Sequence, residues 1–439
     1  MTDQLQLPVL EQLARCARHD KFRKLLAVRL VSQTGDGMFQ VGLATLFFFN
    51  PQNATTAIGV AAAFAVLLLP FTVVGPFAGP LLDRWRRRQV LFGGNLVRVA
   101  LTAILALLVY TVPESWVIYV LALVTLGVNR FLLSALSAGL PHTLPKHLLL
   151  MANSITPTLG SVAAVFGGAL GLLLSLIAGS GPLRNALALV CALTLFAGAA
   201  LLALRLRADE LGPDIRPTRP LSRELSIVVT DLVAGARYLI RRGTPGAGLT
   251  IMAIHRFLYG ANFIALILIS RNLLEDPMDA DAGLARFAFI AGISFAGNGL
   301  AIVLTPIMHR YVSAHQWILI CLGISGVSQM LLMITYTPPL IYVSAVLLGL
   351  GVQGAKIAVD TIVQGDTADH YRGRAFSLYD MMYNAAFVGA AALAAFTLPD
   401  TGWSAAVFGG LTVVYLLAGS WYGWFIRKIG GEPRVVHNT

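Results

Sequence analysis

Roughly a dozen apolar stretches, each long enough to cross a lipid bilayer, follow one another along this chain of 439 residues. A membrane-spanning helix needs about 20 consecutive, mostly apolar residues. Charged residues make up 12% of the chain, whereas a soluble domain usually carries about 25%. We therefore predict an all-α, multi-pass integral membrane protein with twelve transmembrane helices, at about 23–49, 56–80, 89–111, 115–138, 154–179, 184–206, 247–272, 283–307, 315–336, 339–362, 374–398 and 402–426.

Lysine and arginine residues outside these spans lie almost entirely on one side of the predicted membrane. Such an excess is typical of cytoplasmic segments, so we expect both termini in the cytoplasm. The formal net charge of +11 then reflects orientation and contact with membrane lipids, and no nucleic-acid partner is expected. The expected location is the plasma (inner) membrane.

The longest hydrophilic segment, 207–246, divides the spans into two sets of six. Prolines in its first part exclude a regular helix, whereas Leu221–Arg242 has the periodicity of a helix that lies on the cytoplasmic surface. Residues before the first span form either an amphipathic interfacial helix or a frayed polar tail. The predicted organisation is a cytoplasmic leader (1–22), an N-terminal six-helix half (23–206), the linker with its surface helix (207–246), a C-terminal six-helix half (247–426) and a cytoplasmic tail (427–439).

The two halves resemble each other at a constant offset of 226 residues. Pro80–Trp85 at the end of span 2 and Pro306–Tyr311 at the end of span 8 both read proline, two apolar residues, a polar residue, arginine and an aromatic residue. The same offset aligns Asp36 with Asn262. We therefore predict two pseudo-symmetric six-helix bundles, an arrangement found in transporters that hold their substrate near the membrane midplane.

Span 1 carries a polar stripe on an otherwise apolar helix, formed by Arg29, Gln33, Asp36 and Gln40. At 100° per residue these positions share one face. A charged group in a membrane interior is tolerated where it is paired or lines a water-filled path. Asp36, about half-way across, is therefore either the proton-coupling carboxylate of a transporter or one partner of a permanent ion pair that locks span 1 to span 3 or 4.

Further polar residues inside the spans are candidates for a substrate cavity or a gate. Arg98 in span 3 either extends to the cytoplasmic surface or lines the cavity, whereas Arg130 in span 4 lies too deep to extend and needs a partner. His255 either titrates in a useful range or makes a hydrogen bond between helices. The predicted cavity residues are Arg29, Gln33, Gln40, Arg98, Arg130, His255, Tyr259 and Asn262, and a predicted cytoplasmic ion-pair cluster contains Lys356, Asp360 and Asp380.

The junction between spans 2 and 3 reads Gly79-Pro-Leu-Leu-Asp83-Arg84-Trp-Arg-Arg87-Arg88. It resembles the G-x-L-x-D-R-x-G-R-R/K signature of the major facilitator superfamily, with Arg86 where that family usually has glycine. In that family the aspartate and arginine of this loop help to latch the halves through charge contacts with span 11. The resemblance therefore implies a gating role for Asp83 and Arg84, with the segment Arg374–Asp380 as partner.

The whole chain is similar to the branch of this family that contains siderophore exporters and macrolide-type drug-efflux proteins, notably at Ala152-Asn153-Ser154 and at Arg372–Ser377. The resemblance implies a monomeric secondary transporter, namely a proton-coupled exporter of an amphipathic or hydrophobic small molecule such as a drug-like compound or a siderophore. The alternatives are a lipid or lysophospholipid transporter, whose phosphate would suit the intramembrane arginines, and a transporter-like sensor that does not transport. Zinc-binding, nucleophile-elbow and phosphate-loop patterns are absent from the sequence, so we expect no enzyme activity, no cofactor and no metal.

Overall fold

The computed structural model describes residues 9–48, 58–60, 63, 77–78, 81–82, 84–113, 115–145, 148–177, 182–213 and 220–431. Within these ranges the chain is helical and contains no β-strand. Nine of the described helices are long and apolar enough to cross a membrane, which confirms the all-α membrane architecture. The total of twelve spans stays a prediction, since most of 56–80 lies outside the described residues and the helices at the first and eleventh predicted spans are not among the nine.

The described α-helices are numbered here in chain order. A π-helical turn, Ile269–Leu273, continues α8, and the predicted surface helix is present as α7, with the bounds that its periodicity indicated. The helices are α1 (Val9–Arg18), α2 (Asp20–Phe48), α3 (Arg87–Thr111), α4 (Val117–Gly139), α5 (Leu149–Ile177), α6 (Pro182–Ala203), α7 (Leu221–Arg242), α8 (Thr244–Leu268), α9 (Ala280–Met308), α10 (Ala314–Ile334), α11 (Pro338–Asp366), α12 (Asp369–Thr397) and α13 (Ala405–Lys428).

The described residues fall into two compact units. The N-terminal unit contains those of 1–46 and 73–225, and therefore α1, nearly all of α2, α3 to α6 and the start of α7. The C-terminal unit contains those of 47–72 and 226–439, and therefore the rest of α7 and α8 to α13.

The leader of the chain is folded into the N-terminal unit. Cys16 of α1 is 1% exposed, and with Phe22 and Leu25 it belongs to a buried cluster that includes Leu132 of α4 and Leu211 after α6. Apolar residues at this spacing lie on one side of the two consecutive helices, so burial of that side orders the segment. The interpretation of the leader as a frayed tail is therefore wrong for residues 9–18, which are helical.

Helices α2 and α5 meet at their backbones. A Cβ atom at Gly37 would collide with the backbone oxygen of Ala164, and one at Gly167 would collide with that of Thr34. Glycine at both positions removes the side chains that would separate the two helices, as in other close membrane-helix contacts. Helices α9 and α11 of the C-terminal unit meet in the same way at Gly297. The α2–α5 contact fixes the segment of α2 that carries the polar stripe.

Candidate functional site

A buried ion pair joins α2 to α3 in the N-terminal unit. The guanidinium of Arg98 donates a hydrogen bond to Asp36, and the two residues are 0% and 3% exposed. Arg98 Nη1 also donates to Ser32 Oγ at 3.1 Å, and the guanidinium lies 3.5 Å from the ring centroid of Phe196 on α6. Arg98 therefore does not extend to the cytoplasmic surface, which was one of its two expected placements.

The Asp36 carboxylate contacts one positively charged side chain among the described residues. Among the described residues Arg98 is its cationic partner, and the amide of Asn129 on α4 also interacts with the carboxylate. The second carboxylate oxygen, Oδ2, is buried and accepts no hydrogen bond from the described residues. Opposite charges attract more strongly in a low-dielectric interior than at a surface, so the charge of Asp36 contributes directly to the link between α2 and α3.

The predicted polar stripe is divided in the structure. Arg29, 7% exposed, donates from Nε to Gln33 Oε1 at 3.2 Å. Both side chains lie against α5, where a Cβ atom at Gly160 would collide with them. Gln40 is exposed. Asp36 thus contacts α3 while Arg29 and Gln33 contact α5, although helical spacing alone placed all four on one face.

A neutral polar contact joins α8 to α10 in the C-terminal unit. His255 is fully buried, and its Nε2 lies 3.1 Å from Ser325 Oγ on α10. Its ring meets the ring of Tyr415 on α13 edge to face, with centroids 5.3 Å apart. Two roles were expected for His255, a titrating group or a hydrogen bond between helices. The geometry shows the hydrogen bond.

A partly open cavity lies within the C-terminal unit, and its empty space, together with that of its open side, is about 620 Å³. Tyr259 and Asn262, both predicted as cavity residues, line it, whereas His255 does not. None of its lining residues is charged. Apolar walls with a few fixed polar groups are typical of small-molecule sites. The other polar and aromatic residues of the lining are Phe263, Ser294, Phe295, Ser344 and Phe408.

Residues 25–388 match the family model that is described as the Major Facilitator Superfamily. This match extends over most of the chain. The chain belongs to the major facilitator superfamily. As a member it is an integral membrane transporter for a small-molecule substrate and not an enzyme.

Two curated relatives differ in how much of this superfamily member they resemble. An uncharacterized MFS-type transporter of Mycobacterium tuberculosis is 35% identical over 386 residues, which cover 87% of this chain and 86% of the relative. Macrolide efflux protein A of Streptococcus pyogenes is 26% identical over 156 residues, which cover 35% of this chain and 38% of that protein.

Solved structures resemble this superfamily member in fold. A POT family transporter in complex with a thioalcohol-conjugated peptide has a TM-score of 0.67 at 11% identity, over 92% of this chain and 96% of that one. The nucleoside transporter NupG has a TM-score of 0.59 at 16% identity, over 94% and 98% of the two chains. At such identities the likeness concerns the fold alone.

In this superfamily member, two arginines with a predicted gating role are paired with carboxylates of α7. Arg84 donates from Nε and Nη2 to Glu224 Oε2 at 3.2 and 3.1 Å, and Arg374 Nη2 lies 2.8 Å from Asp231 Oδ1. The two carboxylates are two turns apart and share one face of α7. Sequence reasoning missed both, because acidic residues on a surface helix usually face solvent. Asp83 lies outside the described residues.

Two members of the predicted cytoplasmic cluster form an ion pair with each other. Lys356 Nζ lies 2.7 Å from Asp360 Oδ2, one turn along α11, and both side chains are about one-third exposed. The ring centroid of Tyr379 on α12 lies 5.7 Å from the same ammonium group. Asp380, the next residue of α12, is exposed.

Arg130, which was predicted as a cavity residue, lies on α4 and is partly buried.

Proposed function

We propose that this protein is a proton-coupled exporter of an amphipathic or hydrophobic small molecule. It would work by alternating access, with twelve transmembrane helices, both termini in the cytoplasm and a place in the plasma membrane. The observation that carries the proton coupling is the buried pair of Asp36 and Arg98 between α2 and α3.

The chemistry of that pair suits proton coupling. A proton on Asp36 neutralises the carboxylate and removes the attraction to Arg98. A ligand shifts a conformational equilibrium only if it favours one of the two states. Since the ion pair joins two helices, a proton would favour the state in which these helices are less tightly held together. Protonation of Asp36 would thereby be linked to a change in the contact between α2 and α3.

The apolar cavity supports the substrate class. Its walls carry aromatic rings and a few neutral polar groups, and no charged residue is among them. Such a lining suits a substrate with a large apolar part. Export is supported by the partial similarity to macrolide efflux protein A.

Proteoliposomes with trapped pyranine test the coupling. The wild type and Asp36→Asn are reconstituted, a pH gradient is imposed, and internal pH is followed while amphipathic compounds and siderophores are added. Glu275→Gln is the matched control, because Glu275 is also a carboxylate paired with an arginine, Arg286, but lies between α8 and α9, outside the predicted spans. We expect a transported compound to release protons from wild-type and Glu275→Gln vesicles and not from Asp36→Asn vesicles.

Substrate exchange without a pH gradient separates coupling from folding. Asp36→Asn should still exchange labelled for unlabelled substrate, since it retains the cavity. If Asp36→Asn moves protons as the wild type does, Asp36 is only a structural partner of Arg98, and the proposed coupling is wrong.

A further inference from the structure

Arg256 lies at the centre of α8. Twelve residues of the helix precede it and twelve follow it, so at 1.5 Å per residue it is about 18 Å from either end. An arginine side chain is far too short to reach a membrane surface from there. A charge at this depth is tolerated where it has a partner inside the membrane or lines a water-filled path.

The described residues provide Arg256 with aromatic rings in place of a carboxylate. It forms no hydrogen bond and no ion pair within the described part of the chain, and its buried Nε has no acceptor there. Its guanidinium carbon lies 3.9 Å from the ring centroid of Phe387, 4.1 Å from that of Tyr383 and 5.3 Å from that of Tyr259. Aromatic faces stabilise a cation without neutralising it.

This arrangement leaves the binding edge of the guanidinium available. An aromatic ring that stacks on a guanidinium covers its flat face, whereas the N–H bonds of the group point outward in its plane. Those in-plane donors match the two oxygens of a carboxylate, sulfonate or phosphate. Arg98 shows the contrast within the same chain, because its two terminal nitrogens, Nη1 and Nη2, donate to Ser32 and Asp36.

The aromatic side chains around Arg256 extend as far as the lining of the cavity. Tyr259 contacts the guanidinium and also lines the cavity. Phe387 packs against Phe263, with ring centroids 6.0 Å apart, and Phe263 is a second lining residue. A molecule whose apolar part occupied the cavity would therefore contact Tyr259, which in turn contacts the guanidinium of Arg256.

We propose that Arg256 binds the acidic group of the substrate, so that the transported molecule is an amphipathic organic anion with a carboxylate, sulfonate or phosphate on an apolar body. This inference rests on the proposed function and narrows its substrate class. The anion could be a free organic acid or the head group of a single-chain lipid, since both present the same chemistry to the guanidinium.

A matched pair of ligands separates the effect of the ligand's negative charge from that of its ring system. 2-Naphthalenesulfonate and 2-naphthyl methyl sulfone share the ring system and two sulfonyl oxygens, and only the first is charged. Binding is measured by equilibrium dialysis with protein in phosphatidylcholine nanodiscs. The variants are Arg256→Gln, Arg256→Lys and Arg310→Gln, the last being an equal loss of charge at an exposed residue after α9.

We expect the wild type and Arg310→Gln to bind the sulfonate at least tenfold more tightly than the sulfone. Arg256→Gln should reduce this ratio to about one and leave the affinity for the sulfone unchanged, and Arg256→Lys should lie between. Because Arg256 forms no ion pair with the described residues, the thermal midpoint of Arg256→Gln should fall only slightly, through the loss of the ring contacts.

Four results would overturn the inference. Arg256→Gln could keep the wild-type preference for the sulfonate over the sulfone, or the wild type could bind both ligands equally. Either result would leave the proposed function intact. Arg256→Gln could weaken both ligands by the same factor and lower the thermal midpoint, which assigns Arg256 a structural role. If the wild type bound neither ligand, the cavity itself would fail as a substrate site, and with it the substrate class of the proposed function.

A second pair of ligands identifies the source of the anion. 1-Lauroylglycerol and its 3-phosphate are added to the complex with the sulfonate. Displacement by the phosphate and not by the neutral lipid would favour a lysophospholipid, and resistance to both would favour a free organic acid.

Discussion

The two units tie corresponding helices together with different chemistry. In the N-terminal unit, Asp36 and Arg98 join α2 to α3 through opposite charges. In the C-terminal unit, His255 and Ser325 join α8 to α10, the helices related to α2 and α3 by the offset of 226 residues, through a neutral contact. The two contacts lie at different levels of the helices, since the same offset aligns His255 with Arg29 and Asp36 with Asn262. The shared architecture thus accommodates either a charged or a neutral contact between these helices, and of the two contacts only the one for which we propose a function is charged.

Removing the cation from the charged contact should have the largest effect on stability. Arg98→Met leaves the buried carboxylate of Asp36 without its partner, and breaking a buried ion pair costs about 3–5 kcal/mol. We expect the free energy of unfolding, measured by titration with dodecyl sulfate, to fall by that amount. The double variant Asp36→Asn with Arg98→Met should recover more than half of the loss. Additive losses would mean that the pair contributes no coupling energy.

Removing one partner of the neutral contact should cost less. Ser325→Ala deprives the buried His255 ring of its hydrogen bond, and an unmade buried hydrogen bond costs about 1–3 kcal/mol. Ser161→Ala, on the exposed side of α5, is the control and should change the free energy of unfolding by less than about 0.5 kcal/mol. If Ser325→Ala destabilised the protein as much as Arg98→Met, charge would not be what distinguishes the two units.

The ion pairs of α7 should show the smallest effects and extend the comparison to the linker helix. The side chains of Arg84 and Glu224 are 28% and 14% exposed, and those of Arg374 and Asp231 are 36% and 43% exposed. Exposed pairs contribute about 0–1 kcal/mol. We expect coupling energies from double-mutant cycles near the upper end of this range for Arg84 with Glu224, and near zero for Arg374 with Asp231. The reverse order would indicate that burial does not govern these contacts.

Much of the architecture could be predicted from the sequence, because long apolar stretches and the amphipathic periodicity of Leu221–Arg242 are local signals. The polar stripe of span 1 likewise identified Asp36 as a charged residue inside a membrane span, where it needs a partner or a functional role. Its partner could not be chosen among the intramembrane arginines. That choice depends on the rotation of α2 against α3 and α5, which helical spacing does not specify.

Residues brought together from distant parts of the chain were missed for the same reason. Nothing near Arg256 in the sequence indicates that Tyr383 and Phe387 of α12 lie over its guanidinium. Glu224 and Asp231 read as ordinary solvent-facing acids of a surface helix, and their roles depend on arginines far away in the sequence.

The backbone contact between α2 and α5 limits how the sequence of this transporter can change over evolution. Gly37 and Gly167 each face a carbonyl oxygen of the other helix, so even a single methyl group would push the helices apart. Val162 and Val165 of α5 are 60% and 73% exposed and carry no such restriction. We therefore expect relatives that adapt to new substrates to vary the outer side of α5 more than the side that packs against α2.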